Sequence, residues 1–138
     1  MPLMMLLGAA PVGAPCVFVG DEIGQAVAHF KPECAVVTRP GSSSLTLQKL
    51  KLNNYYPQVY ISVGTNGYLN PKLGPNLFTI RKKFTKSKVT WIAPRTAKAQ
   101  QAVYKTAVYF HDNIVYLSKV RPKGQLRSKD YKTVAKQL

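Results

Sequence analysis

The first residues in this chain with the means for chemistry lie in CVFVGDEIGQ, residues 16–25. Strand-like sequence runs into Gly20-Asp21-Glu22 and then into a helix-forming stretch. That layout presents the side chain after Asp21 at the end of a strand, and the side chain is a glutamate. Paired with Asp130, Glu22 would suggest a two-carboxylate glycosidase. Asp130, however, sits on a lysine-rich tail with no matching substrate groove in view. Ser42, Ser43 and Ser44 offer hydroxyl nucleophiles, and His29 and His111 offer imidazole bases. The serines read more simply as a turn and helix cap. Both histidines fall at helix ends, distant from the strand ends where chemistry is expected. No metal site is expected, because two cysteines and two histidines are scattered without ligand spacing. No cofactor is implied.

The elements that must position these residues are regular. Short apolar runs rich in Val, Ile and Tyr recur at residues 16–20, 34–39, 58–64, 88–94 and 113–119. Near-continuous apolar strands are what a sheet covered on both faces requires. Helical patterns follow each run, at residues 22–30, 43–52, 76–84, 96–111 and 128–138. Fivefold strand–helix alternation predicts an α/β fold, a three-layer α/β/α sandwich around a five-stranded parallel sheet. The strand order expected is 2-1-3-4-5. The working loops of such a fold lie at the carboxyl ends of the strands. Here they are residues 20–22, 39–44, 64–70 and 94–96. The longest irregular loop is expected over residues 66–76.

On these blocks the chain resembles the SGNH (GDSL-like) hydrolases. VFVGDEIGQ is similar to their first block, Gly-Asp-Ser. VTRPGSSS is similar to the second, with Gly41 as the match. YISVGTNG is similar to the third, Gly-x-Asn-Asp, with Gly64 and Asn66 in place and Gly67 where the second acid usually sits. VTWIAPR is similar to the strand that follows. The likeness runs from Cys16 onward and implies acyl transfer by a serine nucleophile, a C-terminal histidine base and an orienting aspartate. It also implies Gly41 and Asn66 as oxyanion donors. The nucleophile position is Glu22, and no histidine follows His111. One register sets Asp130 and Thr133 on the Asp-x-x-His motif, and another sets Tyr131 on the aromatic after it. Neither supplies an imidazole. With the catalytic serine and histidine both replaced, Glu22 is expected to accept hydrogen bonds from Asn66 and nearby N–H groups and to plug the site. A noncatalytic pseudoenzyme is therefore expected, with Glu22, Asp130 and Thr133 as degenerate catalytic positions.

Composition sharpens the choice of partner. The 138 residues carry a net charge of +15, and 46% of them are apolar, enough for one continuous core. Up to Leu69 there are 4 Lys/Arg against 3 acids, and beyond it 16 against 2. Such asymmetry points to a polyanion or an acidic protein surface. The candidate contacts are Arg81, Lys82, Lys83, Lys86 and Lys88 in one run, and Lys119, Arg121, Lys123, Arg127 and Lys129 in another. Residues 1–15 form an apolar arm that needs something to pack on, and residues 16–138 form a single domain. The arm lacks a basic leader and is too short to span a bilayer. Cys16 and Cys34 are read as small buried core residues rather than a disulfide. The expected function is a structural or interaction subunit of a larger assembly, with a virus or phage particle as the expected setting. The location is virion or cytoplasm, with other protein subunits as partners and neither a membrane nor a small-molecule substrate. Two alternatives stand beside it. One is an ester or carbohydrate deacetylating hydrolase with displaced catalytic residues. The other is a nonspecific nucleic-acid-binding module using the basic half.

Overall fold

The computed structural model describes residues 13–138. Residues 1–12, most of the expected arm, lie outside that range. Five strands form the sheet: β1 (Cys16–Gly20), β2 (Ala35–Thr38), β3 (Gln58–Ser62), β4 (Lys88–Ala93) and β5 (Asn113–Tyr116). Among the described residues six α-helices accompany them: α1 (Glu22–Ala28), α2 (Ser44–Leu47), α3 (Leu73–Arg81), which a 3-10 turn over Lys82–Phe84 extends, α4 (Ala97–Phe110), α5 (Leu117–Val120) and α6 (Ser128–Lys136). Every strand pairing is parallel and the order is β2-β1-β3-β4-β5. This is the α/β sandwich that the apolar runs require.

Successive side chains of a strand leave on opposite faces, so each central strand feeds two cores. Val17, Val19, Val59, Ile61 and Trp91 meet Leu77, Ile80, Val103 and Ala107 of α3 and α4. Phe18, Tyr60 and Ile92 meet Ile23 and Val27 of α1 and Val134 of α6 on the other face. Past the first residues of β1, β3 and β4 neither face reaches water, which is why alternation is absent from their sequences.

Four local expectations are corrected. The fifth strand stops at Tyr116, and residues 117–120 turn helical as α5. The second helix is one turn, after which Leu50 and Leu52 pack half-buried in an irregular segment. The irregular loop ends at Leu73, where α3 begins; Pro75 fits in its first turn, where the missing N–H has no helical partner to lose. Finally, Cys16 and Cys34 are joined in a disulfide. Val17 is in register with Ala35, so one residue back on each chain segment the cysteines stand side by side, with Cα atoms 4.7 Å apart. The bridge spans a sequence separation of 18. A loop of this size is stabilised by about 3 kcal/mol through constraint of the unfolded chain. Adding reductant should lower the urea midpoint correspondingly; an unchanged midpoint, or alkylation of both thiols without reductant, would contradict the pairing.

Candidate functional site

The site lies at the carboxyl edge of the sheet, where β1 and β3 end. Gly20 takes φ 132°, and a Cβ there would run into the Ser62 carbonyl, so only glycine lets β1 lie this close to β3. The chain then enters α1 with Asp21 as its N-cap. Asp21 Oδ1 accepts hydrogen bonds from the Ile23 N–H at 3.0 Å and from Ser62 Oγ at 2.7 Å. Its Oδ2 is buried and has no partner among the described residues. Burial is the main reason its carboxyl is pushed up to about 6 from 3.8; the Ser62 hydrogen bond opposes the shift and the neighbouring Glu22 charge adds to it.

This shift has a stability consequence. The folded chain binds the Asp21 proton more tightly than the unfolded chain does. Its contribution to stability is therefore present at acid pH and is lost as the pH rises from about 4 through about 6, by up to about 3 kcal/mol. Asp21→Asn keeps the Oδ1 acceptor and carries no charge. It should raise the stability near pH 8 and change it little near pH 4. Equal effects at the two pH values in urea titrations would contradict the assignment.

Glu22 is the first residue of α1. Its Oε1 accepts from the Gly41 N–H at 2.9 Å and from Asn66 Nδ2 at 3.0 Å. Gly41 can offer its N–H because the 39–44 loop turns there at φ 82°, a conformation that suits glycine. Asn66 is held in turn by a second bond from Nδ2 to the Ser42 carbonyl at 3.1 Å, and its backbone bridges to Ser43. Partial burial pushes the Glu22 carboxyl up. The hydrogen bonds from Gly41, the Glu22 backbone and Asn66 outweigh it and hold the group below the usual carboxylate value. Gly41 and Asn66 stand 19 and 44 residues beyond Glu22 in the chain, and the fold makes the three one constellation.

The remaining candidate residues go elsewhere. Ser43 Oγ caps α2, and Ser44 Oγ accepts from Asn76 Nδ2 at 3.1 Å. His29 and His111 are the C-terminal caps of α1 and α4. Asp130 faces Arg121, whose Nε donates to Oδ2 at 2.6 Å, and it also accepts from the Arg127 N–H at 2.9 Å. The Arg121 hydrogen bond is the main reason its carboxyl is held below the ordinary range. Thr133 is exposed and donates to the Lys129 carbonyl within α6. Tyr131 does border the site: burial raises its phenol, with Arg95 opposing and the Asp130, Glu22 and Asp21 charges adding to the rise. A cavity of about 170 Å³ is lined by Ile23, Thr65, Pro94, Arg95, Leu117 and Leu126 among others. Ile23 and Thr65 are the chain neighbours of Glu22 and Asn66, so this mostly apolar space opens beside the constellation.

The two basic runs are not brought together. Lys82, Lys83, Lys86 and Lys88 precede or begin β4, at the amino edge of the sheet. Lys119, Lys123, Arg127 and Lys129 follow β5, at the carboxyl edge. Arg81 leaves the expected polyanion surface altogether. It is buried, with Nε and Nη2 donating to both oxygens of Asp112 at 2.7 and 2.9 Å and Nη1 donating to the Phe84 carbonyl. Arg121 is engaged by Asp130. Among the described residues, Cys16, Glu33 and Cys34 are the one gathering with metal-ligand types, and the disulfide ties up both sulfurs. No described helix is long and apolar enough to cross a membrane.

No protein-family model and no curated protein matches the sequence. Among solved structures, the chain is similar in fold to the C-terminal catalytic domain of Streptococcus pneumoniae peptidoglycan O-acetyltransferase A, captured with a methylsulfonyl adduct. The TM-score is 0.58 at 16% identity, over 91% of this chain and 90% of that one. This likeness corrects the expectation of a pseudoenzyme, since the fold shared over nearly the whole chain is that of a catalytic domain.

Proposed function

We propose that this protein hydrolyses an acyl ester borne on a carbohydrate, with water as the nucleophile and Glu22 as the base. The observation that carries this reading is the convergence of the Gly41 N–H and the Asn66 amide on Glu22. Donors placed where an oxyanion would develop are usually the largest single contribution in acyl chemistry. In the serine-dependent version of this arrangement they face the oxyanion that develops on the substrate; here, with no substrate bound, they hold a carboxylate that is ionised at neutral pH.

The step balances as follows. Glu22 takes a proton from water as the water oxygen bonds to the ester carbonyl carbon. The carbonyl electrons move onto oxygen. Protonation removes the charge from Glu22 and loosens its hold on Gly41 and Asn66, whose donors then follow the charge to the new oxyanion. The intermediate collapses, the alcohol oxygen leaves with the proton from Glu22, and a carboxylic acid and an alcohol are released. A carboxylate held below its usual range is a weak base, so the rate is modest. The donors and binding alone support about 10³–10⁴-fold over water.

Carbohydrate is favoured as the alcohol because the fold neighbour is a peptidoglycan O-acetyltransferase domain. Exposed Lys119, Lys123, Arg127 and Lys129 at the same edge favour an anionic polymer. The disulfide suits an oxidising compartment. The test is turnover of a short-chain acyl ester and of an O-acetylated glycan. Asn66→Ala should lower it by about 10²–10³-fold, the effect of losing one oxyanion donor. Turnover indifferent to Asn66 would place the chemistry elsewhere.

A further inference from the structure

A second groove lies at the opposite edge of the sheet from Glu22. It has a volume of about 440 Å³ and is formed between the segment before β3 and the segment before β4. Lys51, Tyr55 and Tyr56 line it on one side, and Lys83, Phe84 and Lys86 on the other. Tyr55 is 63% exposed, yet its hydroxyl donates to the Lys86 carbonyl at 3.3 Å, which fixes the ring at the rim. The two walls are further tied by Ser87 Oγ donating to the Tyr56 carbonyl at 2.6 Å.

No acid answers these lysines. The chain has five acidic residues. Glu33 pairs with Lys31, Asp112 with Arg81 and Asp130 with Arg121. Asp21 is buried in its cap, and Glu22 is held by Gly41 and Asn66. The groove therefore joins uncompensated positive charge to an exposed, positioned aromatic ring and an apolar floor. Charge alone would suit any polyanion. Charge beside an aromatic face, in a groove the size of a nucleotide, suits a strand whose bases are unpaired.

We infer that this groove binds single-stranded nucleic acid, with Tyr55 stacking on a base and Lys51, Lys83 and Lys86 contacting the phosphates. The site is separate from the Glu22 constellation and stands or falls independently of it.

The test is fluorescence anisotropy with a labelled oligothymidine strand across a salt series. The logarithm of the affinity should fall linearly with the logarithm of the salt concentration. Replacing Lys51, Lys83 and Lys86 together by Ala should shallow that slope by about 2, at roughly 0.7 per phosphate contact on a single strand. Tyr55→Ala should weaken binding roughly 5- to 150-fold and leave the slope in place. An abasic strand should bind the unaltered protein as weakly as oligothymidine binds Tyr55→Ala. Three results would overturn the inference: no binding at low salt; an equal loss on replacing the exposed Lys98, Lys105 and Lys136 instead, which would show diffuse charge; or an abasic strand and inorganic polyphosphate each binding as tightly as oligothymidine, which would show charge without stacking. The replaced side chains are exposed, and an unchanged thermal midpoint confirms that each variant is folded.

Discussion

Asp112→Ala should destabilise the protein by about 3–5 kcal/mol, the largest loss expected of any single polar replacement here. The Asp112 side chain is 3% exposed and that of Arg81 9%. One carboxylate accepts two bonds from the Arg81 guanidinium and a third, at 2.9 Å, from Trp91 Nε1. The guanidinium also stacks over Phe110, 4.8 Å from the ring centroid. Removing the carboxylate leaves a buried cation and a buried indole N–H without their partner, and both desolvation penalties then stand uncompensated. The turn that delivers Asp112 is built for it. His111 takes the left-handed conformation at φ 60°, and the Asp112 N–H returns to the Ala107 carbonyl at 2.8 Å. Urea denaturation measures the loss. Replacing both partners, Arg81→Met with Asp112→Leu, should recover the larger part that comes from the orphan charge and leave the part that comes from the unpaired Trp91 N–H. A single-variant loss below about 1 kcal/mol would mean that water reaches the pair.

Glu22→Ser should abolish ester hydrolysis rather than improve it, with a fall of about 10²–10⁴-fold, the usual worth of a positioned base. Serine would restore the residue type of the SGNH first block, but no imidazole stands by to take its proton. Asp130 faces Arg121, and Thr133 is exposed on α6. A serine without a base is a poor nucleophile at neutral pH. A gain in rate, or sulfonylation of the new serine by a sulfonyl fluoride with loss of fluoride, would show that Tyr131 or another group serves as a base.

Much of this fold is legible in the sequence because its sheet is buried on both faces. Strands with one face in water would interleave polar residues and blur that signal. CVFVG, QVYIS and KVTWIA are instead apolar through most of their length, and parallel order follows from the helices between them. The constellation of Glu22, Gly41 and Asn66 is legible for the same reason: each residue follows a strand, and parallel strands end at one edge. What sequence spacing conceals is pairing at long range. Arg81 sits in a lysine-rich run and reads as surface, while its partner lies 31 residues away. Nothing local marks it as buried. The disulfide does leave a signal, since the two cysteines stand at the starts of consecutive strands in a strand–helix–strand unit, and those starts lie side by side. The end of β5 is obscured because Leu117 continues the apolar run although its backbone has already turned helical.

The decisive experiment is the pH profile of short-chain ester hydrolysis by the unaltered protein and by Glu22→Gln. Glutamine keeps an oxygen for Gly41 and Asn66 but cannot accept the proton from water. With Glu22 as the base, the unaltered protein should gain activity through the acid range, with its midpoint below the usual carboxylate value, and level off by neutral pH. Glu22→Gln should lose roughly 100-fold or more and retain no acid limb. Equal rates and equal profiles for the two proteins would contradict a reaction at Glu22.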